Sequence, residues 1–201
     1  MPMPEQNKPY YQQDPLERAE STFANKENVN HNDLMQVVVV AQVESGLDRY
    51  RAEAGDMTAK QLRDEAHQSQ RLAKHLEEKG DYKPHTQCHA HAIVSGAHRN
   101  AAPMRAIMAR QKVRIDDSHN GCWLPENTAA LTKMPRRLRS AVPHSRIHRY
   151  NYYFWLNSLI NFSKTPTSDD LRYTLQTIGL QLQAGTQPSY VMNKKGEGLP
   201  S

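Results

Sequence analysis

The sequence predicts an α+β fold that is predominantly α: a helical N-terminal module, then a core of two short strands and a helix. Three observations carry this. Helix-start signals at Asn32-Asp33, Thr58-Ala59-Lys60-Gln61 and Ser168-Asp169-Asp170 each open a run with apolar residues at helical spacing. Two short extended stretches, 90–94 and 122–124, flank an Asn120-Gly121 turn. Charge divides the chain: residues 1–84 carry 11 Lys+Arg against 15 Asp+Glu, residues 85–164 carry 12 against 3, and residues 165–201 carry 3 of each.

Residues 1–16, rich in Pro, Gln, Asn and Tyr, read as a flexible arm. Residues 17–84 read as an acidic helical module. Its first helix, capped by Asn32-Asp33, runs to about Arg51 with Leu34, Val37, Val38 and Ala41 on one side. A second begins at the Thr58–Gln61 capping box and stops at Gly80, with a thin stripe of Leu62, Ala66, Leu72, Ala73 and Leu76. Lys83-Pro84 marks a boundary, and residues 85–164 form the basic core. Within it, 90–94 is a strand, and Pro103 to about Lys112 is a helix with Met104, Ile107 and Met108 on one face. Residues 116–121 turn, and Cys122-Trp123-Leu124 is a second strand ended by Pro125. Pro143 can open a helix, because its missing N–H is not needed at the first position. That helix would carry His144, His148, Tyr152, Trp155, Leu156 and Leu159. A C-terminal helix spans 165–185, and 186–201 reads as a disordered tail.

Composition excludes some classes. Mean hydropathy is −0.83, and no apolar run approaches the ~20 residues a membrane-spanning helix needs. The strongest stretch, Met35 to Ala41, is far too short. The start, Met1-Pro2-Met3-Pro4, lacks the basic and apolar regions of a signal peptide, which predicts synthesis in a cytoplasm and export, if any, without one. Two cysteines, Cys88 and Cys122, make no disulfide framework and lack the Cys-x-x-Cys spacing of a zinc site.

The chemistry concentrates in the basic segment, which holds seven of the ten histidines. His144 and His148 stand at i and i+4, one above the other on a helix face. Both can offer imidazole nitrogen to one cation, and His91, near the end of a strand, is the candidate third ligand. Three neutral imidazoles leave coordination positions open for water and substrate, as in a catalytic site. A basic surface around such a centre suits a phosphate-bearing polyanion. Arg136, Arg137, Arg139, Arg146 and Arg149 are the candidate DNA contacts. The aromatic run Tyr150, Tyr152, Tyr153, Phe154 and Trp155 reads first as core packing.

Ala90-His91-Ala92-Ile93-Val94, Ile115-Asp116-Asp117, Asn120-Gly121-Cys122-Trp123-Leu124-Pro125 and the His144/His148 segment with Tyr152-Tyr153 resemble the AHH nuclease family of the HNH/ββα-metal superfamily. The resemblance covers about residues 85–160. It implies a ββα-metal core and a metal-dependent endonuclease acting on double-stranded DNA with one divalent ion (Mg, Mn, Ni or Zn). It assigns His91, His144 and His148 as ligands and Asn120 as the brace of the inter-strand turn. The family's opening motif reads Ala-His-His-Ile-Val, and its second histidine is the general base. That histidine falls at position 92, where this chain has alanine, which accepts no proton. Loss of a general base lowers rates by about 100- to 10,000-fold.

Two readings of Ala92 stand side by side. In one it is a deliberate inactivating replacement in an otherwise intact pattern, and the intact pattern favours this reading. In the other it is native, with a drifted pseudo-nuclease or a base supplied by His89, His98 or His119. Domains of this family often act as toxins of bacterial competition, delivered by machinery such as type VI secretion. The resemblance thus implies delivery without a signal peptide into a target cell's cytoplasm, an acidic immunity protein in the producer, and a secretion-system carrier or spike protein loading the N-terminal module. A phage or housekeeping nuclease and a non-catalytic DNA-binding protein are the alternatives.

Overall fold

The computed structural model describes Gln13 and residues 15–200. The arm expected over 1–16 lies outside the described residues, except that Pro15 and Leu16 already open a helix. Seven helices and two strands follow in the order α1 (Pro15–Ala24), α2 (His31–Glu53), α3 (Ala59–Asp64), α4 (Ser69–Glu78), β1 (Cys88–Ala92), α5 (Ala102–Arg110), β2 (Gly121–Pro125), α6 (Tyr150–Leu159) and α7 (Ser168–Ala184). The fold is α+β and predominantly α, with one small antiparallel sheet. No helix among the described residues is long and apolar enough to cross a membrane.

Local chemistry sets the helix ends. Asn30, rather than Asn32-Asp33, caps α2: its side chain accepts from the Asn32 and Asp33 amides while Asp33 reaches back to the cap. Thr58 and Gln61 form the expected capping box. The single helix expected from there to Gly80 is two, however, because Glu65 turns extended (φ −58°, ψ 126°). Buried Asp116 draws in the bend, binding the His67 ring and the Gln68 amide, so the helical ladder cannot continue. Thr167 caps α7, and Gly185 closes it in the left-handed region (φ 71°).

The sheet sorts the core into two layers. β1 and β2 pair with His91 opposite Cys122, Ala90 opposite Trp123 and Ala92 opposite Gly121. Cys122 and Leu124 join α5, α6 and α7 in the larger core, with Tyr152, Leu156, Leu175 and Ile178. Ala90, Ala92 and Trp123 face the other way, onto Leu72 and Leu76 of α4. Gly121 belongs to the second layer by necessity: a Cβ there would fall 2.7 Å from a Leu72 methyl. The helix α4 therefore shares the core of the strands, and no break in packing occurs at Pro84.

The N-terminal helices are bolted to the turn before β2. Arg51 of α2 binds Asp117 through Nε (3.1 Å) and Nη2 (3.2 Å), and Arg172 of α7 reaches the same carboxylate. Arg114 lies over the Tyr50 ring, 3.6 Å from its centre, and pairs with Glu53 and Glu65.

The segment after α7, expected as a disordered tail, packs instead. Val191 is fully buried. Asn151 of α6 donates to the carbonyls of Tyr190, Lys194 and Glu197 and accepts from the Gly196 amide. A polar sequence hid this because much of the attachment runs through two polar side chains at the start of α6, Asn151 and Arg149, and the tail's own backbone.

Candidate metal centre

His91, His144 and His148 come together. Each offers a ligand atom, and these atoms lie within 4.8 Å of one another. The three rings stand 5.2–5.6 Å apart. His91 is brought by β1, on the sheet face that looks toward α6.

The other two are not carried by a helix from Pro143, as the spacing predicts. His144 sits in a single 3-10 turn (His144–Arg146), and α6 begins only at Tyr150. Three constraints prevent the longer helix. The Ser145 amide is taken by the Glu126 carbonyl after β2. Ile147 must be buried in the larger core. Arg149 is extended (φ −119°, ψ 163°) and caps α6. The turn still brings i and i+4 to one place, so the spacing located the pair although the element differs.

The hydrogen bonds leave lone pairs where a cation needs them. Tyr152 donates its hydroxyl proton to the Ile93 carbonyl (2.8 Å), so its oxygen accepts from His91 Nε2 (3.2 Å). His91 Nδ1 is thereby unprotonated, and it is buried with no hydrogen-bond partner among the described residues. His148 Nδ1 is engaged by the Tyr153 hydroxyl (2.9 Å), leaving its Nε2 for a ligand. A buried imidazole nitrogen without a proton or a partner, on a ring packed against two more imidazoles, fits a divalent ion of the borderline kind that nitrogen ligands favour.

Electrostatics agree. Burial, then the neighbouring His148 and His144, hold His91 well below the usual imidazole range. Burial, then His148 and His89, lower His144 to about 4. Burial, then His98, lowers His148. All three are neutral at pH 7, the form that ligates metal.

The remaining sequence candidates have separate places. Asn120, fully buried, accepts from the Val94 amide and donates to the Val94 and Ile115 carbonyls, tying the chain beyond β1 to the turn before β2. Ala92 is 5% exposed and looks onto α4, away from the His91 face. His89 is exposed beside His144, ring centres 5.5 Å apart. His98 stacks on Tyr153 (4.3 Å) and caps the turn before α5. His119 is committed to Asp117 and Arg51. Arg146 shares the exposed turn of His144. Arg136, Arg137 and Arg139 are exposed, and Arg137 pairs with Asp81 at a cleft that contains none of the three histidines. Arg149 donates to the Met192 carbonyl, anchoring the end of the chain. Tyr152, Tyr153 and Trp155 are core residues. Cys88 and Cys122 are buried free thiols outside the cluster. Sequence reasoning placed Tyr152 and Tyr153 in the core and in the family resemblance but missed their contacts with His91 and His148.

No curated protein and no solved structure matches the chain. Residues 72–174, a little over half of it, match AHH, described as a nuclease family of the HNH/ENDO VII superfamily with conserved AHH. The match begins at Leu72 in α4, the helix that shares the core of the strands. This chain keeps the first two residues of the family's hallmark as Ala90-His91 and replaces the third with Ala92. With the histidine centre and the matched span together, the chain belongs to the AHH family of nucleases.

Proposed function

We propose that this nuclease is a metal-dependent endonuclease of double-stranded DNA, held to a low rate by alanine at position 92. The observation that carries the reading is the bare, buried Nδ1 of His91, on a ring that stands against those of His144 and His148. Bound there, a divalent ion supplies Lewis acidity at a phosphodiester oxygen. The chain's own residues do the rest. Tyr152 fixes the tautomer of His91, Tyr153 holds the His148 ring, Asn120 holds the strand end, and the exposed Arg146 beside His144 offers a cation to the phosphate backbone. Arg136, Arg137, Arg139 and Arg149 extend the basic surface. The test is nicking of supercoiled plasmid with Mg, Mn, Ni or Zn, by this chain and by Ala92→His. A gain on restoring histidine supports the reading, and no metal-dependent cleavage by either protein overturns it.

We further propose that the protein is an antibacterial effector. It would be made in the cytoplasm of a producing bacterium, loaded through α1 and α2 onto a secretion carrier or spike, and delivered into a target cell. An acidic immunity protein would then cover the basic face of residues 85–164, which carry 12 Lys+Arg against 3 Asp+Glu. Toxicity of Ala92→His in a bacterial cytoplasm, relieved by a co-expressed acidic partner, tests this. One observation favours a second reading, a non-catalytic DNA-binding protein with native alanine: the Ala92 methyl is neatly buried among Leu72, Leu76 and Trp123.

A further inference from the structure

We propose that His89 is a substrate contact of the histidine centre: its imidazole N–H holds a non-bridging oxygen of the phosphodiester to be cut. The inference rests on the nuclease reading. His89 and His91 are two residues apart on β1, so both side chains stand on one face of the sheet. The register puts Leu124 opposite His89 and Cys122 opposite His91. His91, Cys122 and Leu124 are buried, whereas His89 is exposed. The face therefore passes from core to solvent at His89.

The ring stands at the centre itself. Its centroid lies 5.5 Å from that of His144, with the two planes at 72°. The three candidate ligands stand 5.2–5.6 Å from one another, so His89 continues their packing by one more ring. It is not one of the set: among the described residues, only His91, His144 and His148 bring ligand atoms within 4.8 Å of one another. A ring beside a ligand but outside the ligand set is placed to touch what the centre binds. The direction of approach agrees. His91 is fully buried against Tyr152, His144 is half-buried and His148 is exposed. A phosphate must come in over His144 and His148, where His89 from β1 and Arg146 from the His144 turn are both exposed.

Nothing in the fold uses the nitrogens of this ring. His89 makes no hydrogen bond and no ion pair among the described residues; its one close contact is the ring of His144. Other histidines outside the ligand set are committed. His85 Nδ1 accepts from the Gln87 amide, His98 Nδ1 accepts from the Asn100 amide, and His119 is held by Asp117 and Arg51. An imidazole carries an N–H in its neutral and its charged form, so His89 always has a donor to offer. A hydrogen bond to a phosphate oxygen fixes the backbone in place without reading sequence. That orientation is the contribution of His89, and it needs no proton transfer.

The test uses His89→Phe and His89→Gln in the full chain. Phenylalanine keeps a ring against His144 without an N–H, and glutamine keeps a donor of similar reach. With Zn²⁺ bound and a fluorescein-labelled DNA duplex as the probe, His89→Phe should bind about 3- to 10-fold more weakly, the worth of one hydrogen bond. His89→Gln should recover most of that loss. Zn²⁺ affinity by calorimetry and the melting temperature should hold in both. In the Ala92→His background, His89→Phe should raise the KM of plasmid nicking by a similar factor and leave kcat nearly unchanged. Loss of Zn²⁺ binding in His89→Phe overturns the proposal, because the ring is then a ligand. A fall in kcat at unchanged KM and duplex affinity also overturns it, because the ring then acts only in the transition state. If Ala92→His cuts and His89→Phe changes neither duplex affinity nor KM, His89 is not a contact although the nuclease reading stands. If Ala92→His cuts with none of Mg, Mn, Ni and Zn, the nuclease reading fails and the proposal with it.

Discussion

His91 hands its Nε2 proton to the hydroxyl of Tyr152, which hands its own to the carbonyl of Ile93. One α6 side chain therefore chooses the tautomer of the β1 ligand. Tyr152→Phe should weaken divalent-metal binding by about 10- to 100-fold, the usual effect of removing a ligand's outer partner. Titration calorimetry with Zn²⁺ or Ni²⁺ checks it. Unchanged affinity would mean that the tautomer is set by something else.

Ala92→His should raise DNA cleavage by about 100- to 10,000-fold. Adding His144→Ala or His148→Ala should abolish the gain. The same replacement should destabilise the fold by about 1–3 kcal/mol, because the ring must enter a layer already filled by Leu72 and Leu76. Plasmid nicking and urea denaturation of the same protein check the two effects together.

Acid should unsettle the metal-free protein. His144 sits at about 4 when folded, against about 6.5 in the unfolded chain. Above 6.5 both states are neutral and nothing is lost. As pH falls from 6.5 toward 4, the unfolded state binds a proton that the folded state refuses, so stability declines across that window. His91 and His148 act in the same direction. The melting midpoint should drop between pH 7 and pH 4.5, and the drop should be shallower in His144→Asn. A midpoint with the same slope in both proteins would contradict this.

Asp117→Ala should destabilise by about 3–5 kcal/mol. Asp117 is buried and is shared by Arg51, Arg172 and His119, so its loss leaves two half-buried guanidinium groups without a counter-charge. Chemical denaturation measures it, and a change under 1 kcal/mol would mean that water replaces the carboxylate.

The meeting of His144 and His148 was legible from their spacing, since i and i+4 come together whether the turn is α or 3-10. The element was not legible, because the Ser145 amide goes to Glu126, a residue of another segment. Both strands could be placed from the sequence, although β1 spans Cys88–Ala92, two residues before the expected 90–94, and Asn120-Gly121 leads directly into β2. The split of α3 from α4 could not, because it is made by Asp116, 48 residues from the Gln68 amide that it binds. Asn32-Asp33 stood within two residues of the true cap, which is the usual uncertainty of helix ends.

The clamp made by Asn151 has a consequence in time. The carbonyls that it grips belong to residues 190, 194 and 197, synthesised well after His144 and His148. Until those residues have emerged from the ribosome, the start of α6 lacks its anchor, and the turn that presents both histidines lacks a fixed support. A nascent chain thus carries all three histidines of the centre before it can hold them in place. In a cell making this nuclease, the residues of the centre therefore exist for an interval before the fold that sets them.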